Sequence, residues 1–262
     1  MRCIALASGS KGNCLYVEGS SGALLVDAGL TRREILARLR AAGGVEDAIC
    51  GILVTHEHVD HLAAVEPLAR YLSVPVYATG GTLLDLLDSR PSRRCPVRAV
   101  RVDYGEQFPV GDFQVEAFET SHDAREPCGF RIREADLALA CCTDTGMVTP
   151  SMQAVFTSSD GVVLESNHCP MMLKEGPYPE MLKRRIRSRR GHLSNPDAAS
   201  CIQSICQNVH HVMLAHLSEV NNTPQKALSQ AKERAGLFLD EVQITVATNP
   251  GSPVGWPHQV RL

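Results

Sequence analysis

The segment Ile52-Leu53-Val54-Thr55-His56-Glu57-His58-Val59-Asp60-His61 constrains this chain more than any other. An apolar run breaks into three histidines and two carboxylates within six positions, and a helical pattern carrying Leu62, Val65, Leu68 and Leu72 follows. Strand, polar turn and helix in that order build α/β layers, which place their sites at the carboxyl ends of strands. Histidines two apart on an extended turn project to one side, so His56 and His58 can share a cation. Asp60 and His61, one step further round, face a second position. Imidazole together with carboxylate suits Zn, Mn, Fe or Ni better than Ca or Mg.

One such cluster cannot complete two coordination shells. Three more polar residues stand where an apolar strand ends. His122 follows Phe113–Phe118, Asp144 follows Leu137–Cys142, and His216 follows the strand at Val212. The remaining pattern predicts strands at Ile4–Ala7, Leu15–Glu18, Ala23–Asp27, Val74–Ala78, Val97–Val102, Gly129–Arg133, Val162–Glu165, His211–Ala215 and Val242–Ala247. Helices are expected from the Thr31/Glu34 capping box to Gly43-Gly44, near Thr82–Leu87, at Pro179–Ser188, from Asn195-Pro196 to Gln207, and at Pro224–Ala235.

No linker or low-complexity stretch divides the 262 residues, and a 44% hydrophobic content suffices for a sizeable core. The expectation is one domain over 1–262, with mixed sheets between helical layers and residues 249–262, rich in Pro and Gly, as a surface tail. A net charge of -3 advertises no polyanionic partner, so nucleic-acid affinity must come from a local patch. That patch is Lys183-Arg184-Arg185-Ile186-Arg187-Ser188-Arg189-Arg190. No apolar run approaches the roughly 20 residues of a membrane span, and the first residues lack the pattern of a secretory signal. The ten cysteines are scattered without a C-x-x-C pair. Buried free thiols in a reducing, cytoplasmic setting are the expectation.

The order His-x-His-x-Asp-His, later His, Asp and final His resembles the motif series of the metallo-β-lactamase superfamily. The nearer resemblance is to its YycJ/WalJ-type exonuclease-like branch. It is carried by Leu6-Ala7-Ser8-Gly9-Ser10-Lys11-Gly12-Asn13, Glu165-Ser166-Asn167-His168, Gly176-Pro177-Tyr178-Pro179, Gly191-His192-Leu193-Ser194-Asn195 and Ala215-His216-Leu217-Ser218-Glu219-Val220-Asn221-Asn222. The resemblance implies an αββα sandwich of two mixed β-sheets flanked by helices. It also implies two divalent ions, one on His56, His58 and His122, the other on Asp60, His61 and His216. Asp144 bridges them and Asp27 supports the cluster from behind. Cysteine is common at the bridging position in true lactamases, so Asp144 argues against β-lactam hydrolysis.

The implied reaction is 5′-to-3′ exonuclease cleavage of DNA with zinc or manganese. Two ions roughly 3.5–4 Å apart can hold a hydroxide between them and clamp a phosphate for in-line attack. Asp60 is expected to orient that nucleophile and His192 to contact the phosphate or protonate the leaving oxygen. Ser8, Ser10, Asn13, Asn167, His168, Arg184, Arg185 and Arg187 are the expected substrate contacts. One Trp and few other aromatics give little base stacking, so backbone reading without sequence specificity is expected. Two departures from the branch pattern are Cys169, where an acidic residue is usual, and Lys11 in the Ser/Gly loop. A small-molecule phosphodiesterase or other hydrolase on the same fold is the alternative, and a nucleic-acid-binding module with a structural metal is a third reading. No long insertion separates Asp144 from His216, so no large clamping domain is expected there. The sequence carries no mark of oligomeric state.

Overall fold

A computed structural model describes residues 1–88, 97–236, 241–252 and 255–262. The chain opens with β1 (Arg2–Ala7), β2 (Cys14–Glu18) and β3 (Ala23–Val26). Then come α1 (Arg32–Ala41), a 3-10 turn at Glu46–Ala48, β4 (Ile49–Leu53), α2 (Val59–Leu62), α3 (Val65–Leu72), β5 (Val76–Ala78), α4 (Gly80–Asp88) and β6 (Ala99–Arg101). The middle is β7 (Gln107–Val110), β8 (Phe113–Glu119), β9 (Cys128–Glu134) and β10 (Leu137–Cys142). The last third holds α5 (Pro150–Thr157), β11 (Gly161–Glu165), α6 (Pro170–Glu175), α7 (Glu180–Ile186), α8 (Asn195–Ile205), β12 (His211–Ala215), α9 (Pro224–Ala235), β13 (Gln243–Val246) and β14 (His258–Arg261).

These strands form two sheets of seven, ordered β14-β1-β2-β3-β4-β5-β6 and β13-β12-β11-β10-β9-β8-β7. Each sheet begins with antiparallel hairpins and continues with parallel strands joined through helices, from β3 to β6 in the first and β10 to β13 in the second. The period-2 alternation of strand side chains sorts them into layers. Cys3, Ala5, Leu24, Val26, Phe113, Val115, Phe130, Leu139 and Val163 fill the space between the sheets. Ile4, Leu6 and Leu25 instead meet Ile35, Leu39, Val65 and Leu68 of the outer helices, and Val162, Leu164 and Leu214 meet Phe156, Ile202 and Ala227. The expected αββα sandwich is the observed architecture. Strands apolar on both faces follow from this double burial.

The expectation of a surface tail is corrected. β14 pairs antiparallel with β1, and Val260 is buried between the sheets. The unpaired edge of β1 would otherwise be open, and a four-residue strand with one inward apolar side chain is enough to cover it. Asn249 is also anchored: its Nδ2 donates to the Ser8 carbonyl at 2.9 Å, and its Oδ1 accepts from Arg38 Nη1 at 3.1 Å. The nine described cysteines are free and eight of them are buried, as expected, whereas Cys95 lies outside the described residues. Among the described residues, no helix is long and apolar enough to cross a membrane.

Candidate metal centre

Every expected ligand sits on a turn at the same edge of the sandwich. Asp27 follows β3, and His56, His58, Asp60 and His61 occupy the β4–α2 turn and the first residues of α2. His122 lies between β8 and β9, Asp144 follows β10, and His216 follows β12. Asp27, Asp144 and His216 have left-handed backbone, with φ of 62°, 58° and 55°. Such geometry costs of order 1–3 kcal/mol for a residue with a side chain and concentrates at functional sites. The turn is packed by Gly29, where a Cβ would overlap the Asp60 carbonyl, and the Asn13 N–H donates to that same carbonyl at 2.8 Å.

Each histidine is oriented by what one ring nitrogen must bond. His61 Nδ1 lies 2.7 Å from Asp27 Oδ2, and His216 Nδ1 lies 2.9 Å from Glu165 Oε1. His122 Nδ1 faces the Gly191 carbonyl at 2.9 Å. Carboxylates and carbonyls only accept, so each Nδ1 carries a proton and Nε2 is turned into the cleft. Thr55 Oγ1 donates to Asp27 Oδ2 at 2.9 Å and meets His56 Nδ1 at 3.0 Å, which turns His56 the same way.

The result is nitrogen facing nitrogen. His56 Nε2 stands 3.0 Å from His58 Nδ1, and His122 Nε2 stands 3.3 Å from that same His58 atom. Ligands held about 2.0–2.1 Å from a tetrahedral zinc are roughly 3.3 Å apart, so this convergence has the spacing of a coordination shell. Asp60, His61 and His216 form a second group. Asp144 faces both, with Oδ2 3.1 Å from His61 Nε2 and Oδ1 3.7 Å from His122 Nε2. Despite the first distance, Asp144 Oδ2 and His216 Nε2 are buried without a hydrogen-bond partner. Buried polar atoms left so are costly, and a cation would satisfy them. These residues are positioned to bind metal ions.

The charges agree with that arrangement. Burial alone would raise the Asp144 pKa, but His216 and His61 hold it well below the usual carboxylate range. Burial likewise opposes protonation of His61 and His216. Asp27 and Asp144 nevertheless push His61 well above its ordinary value, and Asp144, Asp60 and Glu165 push His216 up to about 10. A metal binding here would displace protons from these imidazoles.

Sequence reasoning passed over Glu165 as a functional group. Fully buried, it receives His192 Nδ1 at 2.8 Å and His216 Nδ1 at 2.9 Å on one oxygen, and the Thr145 and Leu193 N–H groups on the other. The signal was available, since it is the polar last residue of an apolar strand, the same pattern that marks Asp144. His192 is brought beside Asp144 Oδ1 at 3.4 Å. Burial lowers its pKa, but Glu165 outweighs this and leaves it raised.

The expected substrate contacts divide. Ser10 is exposed on the Ser/Gly loop, and Arg184, 78% exposed, keeps only a 3.6 Å approach to Glu180. Others serve the scaffold. Ser8 Oγ accepts from the His216 N–H at 2.7 Å, Asn167 Nδ2 donates to the His216 carbonyl at 2.9 Å, and Asn13 Nδ2 lies 3.3 Å from Asp60 Oδ2. His168 is buried, with Nδ1 unpartnered. Arg185 is held by both oxygens of Asp123, and Arg187 by Glu180 at 2.7 Å. Lys11 pairs with Glu219 at 2.6 Å across the Ser/Gly and post-β12 loops, and Cys169 is a buried thiol at the start of α6.

Residues 23–217 match the family described as the beta-lactamase superfamily domain. The exodeoxyribonuclease YycJ of Bacillus anthracis is 39% identical over 255 residues, covering 95% of both chains. The exodeoxyribonuclease WalJ of Streptococcus pneumoniae is 36% identical over 224 residues, covering 85% of this chain and 83% of its own. The crystal structure of the metallo-β-lactamase fold protein YhfI from Bacillus subtilis superposes with a TM-score of 0.75 over 99% of both chains at 14% identity, which speaks to the fold. With a superfamily domain spanning most of its length and relatives matched nearly end to end, this chain belongs to the metallo-β-lactamase superfamily, in the family of YycJ and WalJ.

Proposed function

We propose that residues 1–262 act as one domain, a dinuclear metal-dependent phosphodiesterase that degrades DNA from the 5′ end. The observation that carries this is Asp144, whose two oxygens face two separate His-rich groups, 3.1 Å from His61 Nε2 and 3.7 Å from His122 Nε2. The relatives named exodeoxyribonuclease supply the substrate class. His56, His58 and His122 would hold one ion, Asp60, His61 and His216 the other, with zinc or manganese suited to the donors and iron or nickel compatible. Bound ions would supply a water ionised at neutral pH and would neutralise charge on the phosphate.

The chain's own residues do the rest. Asp60, its side chain 26% exposed, has Oδ2 within 3.7 Å of His216 Nε2 and 3.6 Å of His61 Nε2, and it orients the attacking water. His192 has Nδ1 committed to Glu165, which leaves Nε2 as the ring nitrogen for substrate. Its raised pKa keeps a proton there for the leaving oxygen, an acid contribution of about a hundred- to ten-thousand-fold. Exposed Arg184 and the Ser10 loop meet the phosphate backbone. The free thiols fit a reducing cytoplasm.

The test is cleavage of end-labelled, 5′-phosphorylated duplex DNA with added manganese and a chelator control. Stepwise 5′ loss abolished by chelator and by Asp144→Ala is the expected result, and full activity in purified D144A sinks the assignment. A second reading, hydrolysis of a small phosphodiester, is favoured by one observation: Arg185 and Arg187 are engaged by Asp123 and Glu180 instead of standing free. Metal-dependent turnover of a small phosphodiester without DNA or RNA cleavage would select it.

A further inference from the structure

The end of the basic run has a task other than gripping phosphate. After α7 the chain turns tightly through residues 187–191. A Cβ on Gly191 would overlap the Arg185 and Ile186 carbonyls, and one on Gly146 would overlap the backbone of Arg189. The turn therefore packs against the loop after β10, and hydrogen bonds tie it to the β8–β9 loop that carries His122. Arg190 Nε donates to the His122 carbonyl at 3.1 Å, and its Nη2 donates to the Ala124 carbonyl at 3.4 Å. Ser121 Oγ donates to the Arg189 carbonyl at 2.7 Å, and His122 Nδ1 to the Gly191 carbonyl at 2.9 Å. From the opposite side Glu57, inside the histidine cluster, accepts the Arg125 N–H at 2.7 Å.

His122 is also the member of its group that comes from the other sheet. His56 and His58 share the β4–α2 turn, whereas His122 arrives from the second sheet on the β8–β9 loop. How close its Nε2 comes to His58 Nδ1, 3.3 Å, depends on what holds that loop from outside.

We propose that Arg190 is a positioning residue for the His56–His58–His122 metal position. One planar guanidinium fixes the loop backbone on both sides of Asp123, and residues 187–191 are a strap on the metal centre instead of a phosphate grip. The inference rests on reading those three histidines as one metal position. Arginine is required because its fork reaches two carbonyls two residues apart, whereas a lysine ammonium is a point donor.

The experiment is zinc titration of the metal-free full chain against a chromophoric chelator, for wild type, Arg190→Ala, Arg190→Lys and Arg184→Ala. Zinc occupancy at each position is then read by anomalous diffraction. Loss of outer hydrogen-bond partners typically weakens a metal site about ten- to a hundredfold. R190A should lose affinity by that factor in one binding step, keep the other, and show depletion at His56–His58–His122. R190K should stay weakened, and R184A should titrate like wild type. Wild-type affinity for both ions in R190A, equal weakening of both, or full recovery in R190K would each overturn the inference. If R190A does not fold, R190K decides. Since zinc binding is read directly, a wild-type chain that binds zinc but cleaves no DNA would defeat the nuclease proposal and leave this inference standing.

Discussion

At the scale of single residues, the centre is built from groups that a folding chain would otherwise avoid. Asp144, Glu165, His56, His61 and His216 are nearly or fully buried, and Asp27, Asp144 and His216 hold left-handed backbone besides. The ligands were legible because each interrupts an apolar run at a strand end. Glu165 breaks the same pattern, and only its neighbours in space, His192 and His216, reveal its role. His168 gives a consequence that can be measured. Burial keeps it neutral in the folded chain, its pKa lowered to about 4. The unfolded chain takes up that proton near pH 6.5. Between these values the unfolded state binds more protons, so this residue's effect is a stability that falls as pH drops from about 6.5 to about 4. The full shift corresponds to at most about 3 kcal/mol. Urea unfolding in chelator at several pH values should show a flatter pH dependence in His168→Gln than in wild type; parallel curves would refute the assignment.

At the scale of elements, agreement follows the strength of local signals. α1 has its full capping box at Thr31 and Glu34 and α9 begins at Pro224 behind a Thr223 cap, so their starts were readable, whereas the cap of α8 is Ser194, one residue before the expected Asn195. The interior strands were readable from continuous apolar runs. β7 was missed because Gln107-Phe108-Pro109-Val110 carries a proline, tolerated only because β7 is an edge strand. α5 and α6 were missed although each opens with Pro150 or Pro170 at its start, because eight and six residues are too short for a periodicity to show. β14 was hidden most completely, since its partner β1 lies at the other end of the sequence. Its place predicts that Val260→Ala lowers stability by about 1.5–3 kcal/mol, the loss of two buried carbons and the cavity they leave. A surface tail would tolerate the change within about 0.5 kcal/mol, and denaturant midpoints at unchanged m separate the two.

At the scale of the whole molecule, the two sheets contribute unequally to one edge. The first supplies Asp27 and the His56–His61 turn, and the second supplies His122, Asp144, Glu165 and His216. The sheets are joined elsewhere by the apolar layer, but at this edge they meet through the converging nitrogen and oxygen atoms of the candidate metal centre. A cation bound there would therefore fasten the two sheets together. An ion that binds only the folded chain stabilises it by about 2.7 kcal/mol at a hundred times its dissociation constant. The two proposed sites, at about 2–4 °C per kcal/mol for a chain near this size, would together amount to roughly 10–20 °C in Tm. Chelator should lower the midpoint by that order, and zinc should restore it. Magnesium should not, because a histidine-rich shell suits it poorly. In Asp144→Ala, which removes a carboxylate facing both proposed positions, most of the zinc-dependent rise should vanish even if the metal-free midpoint is unchanged. A wild-type midpoint indifferent to chelator and zinc would mean that the edge is held by the protein alone, and the fastening role would be withdrawn.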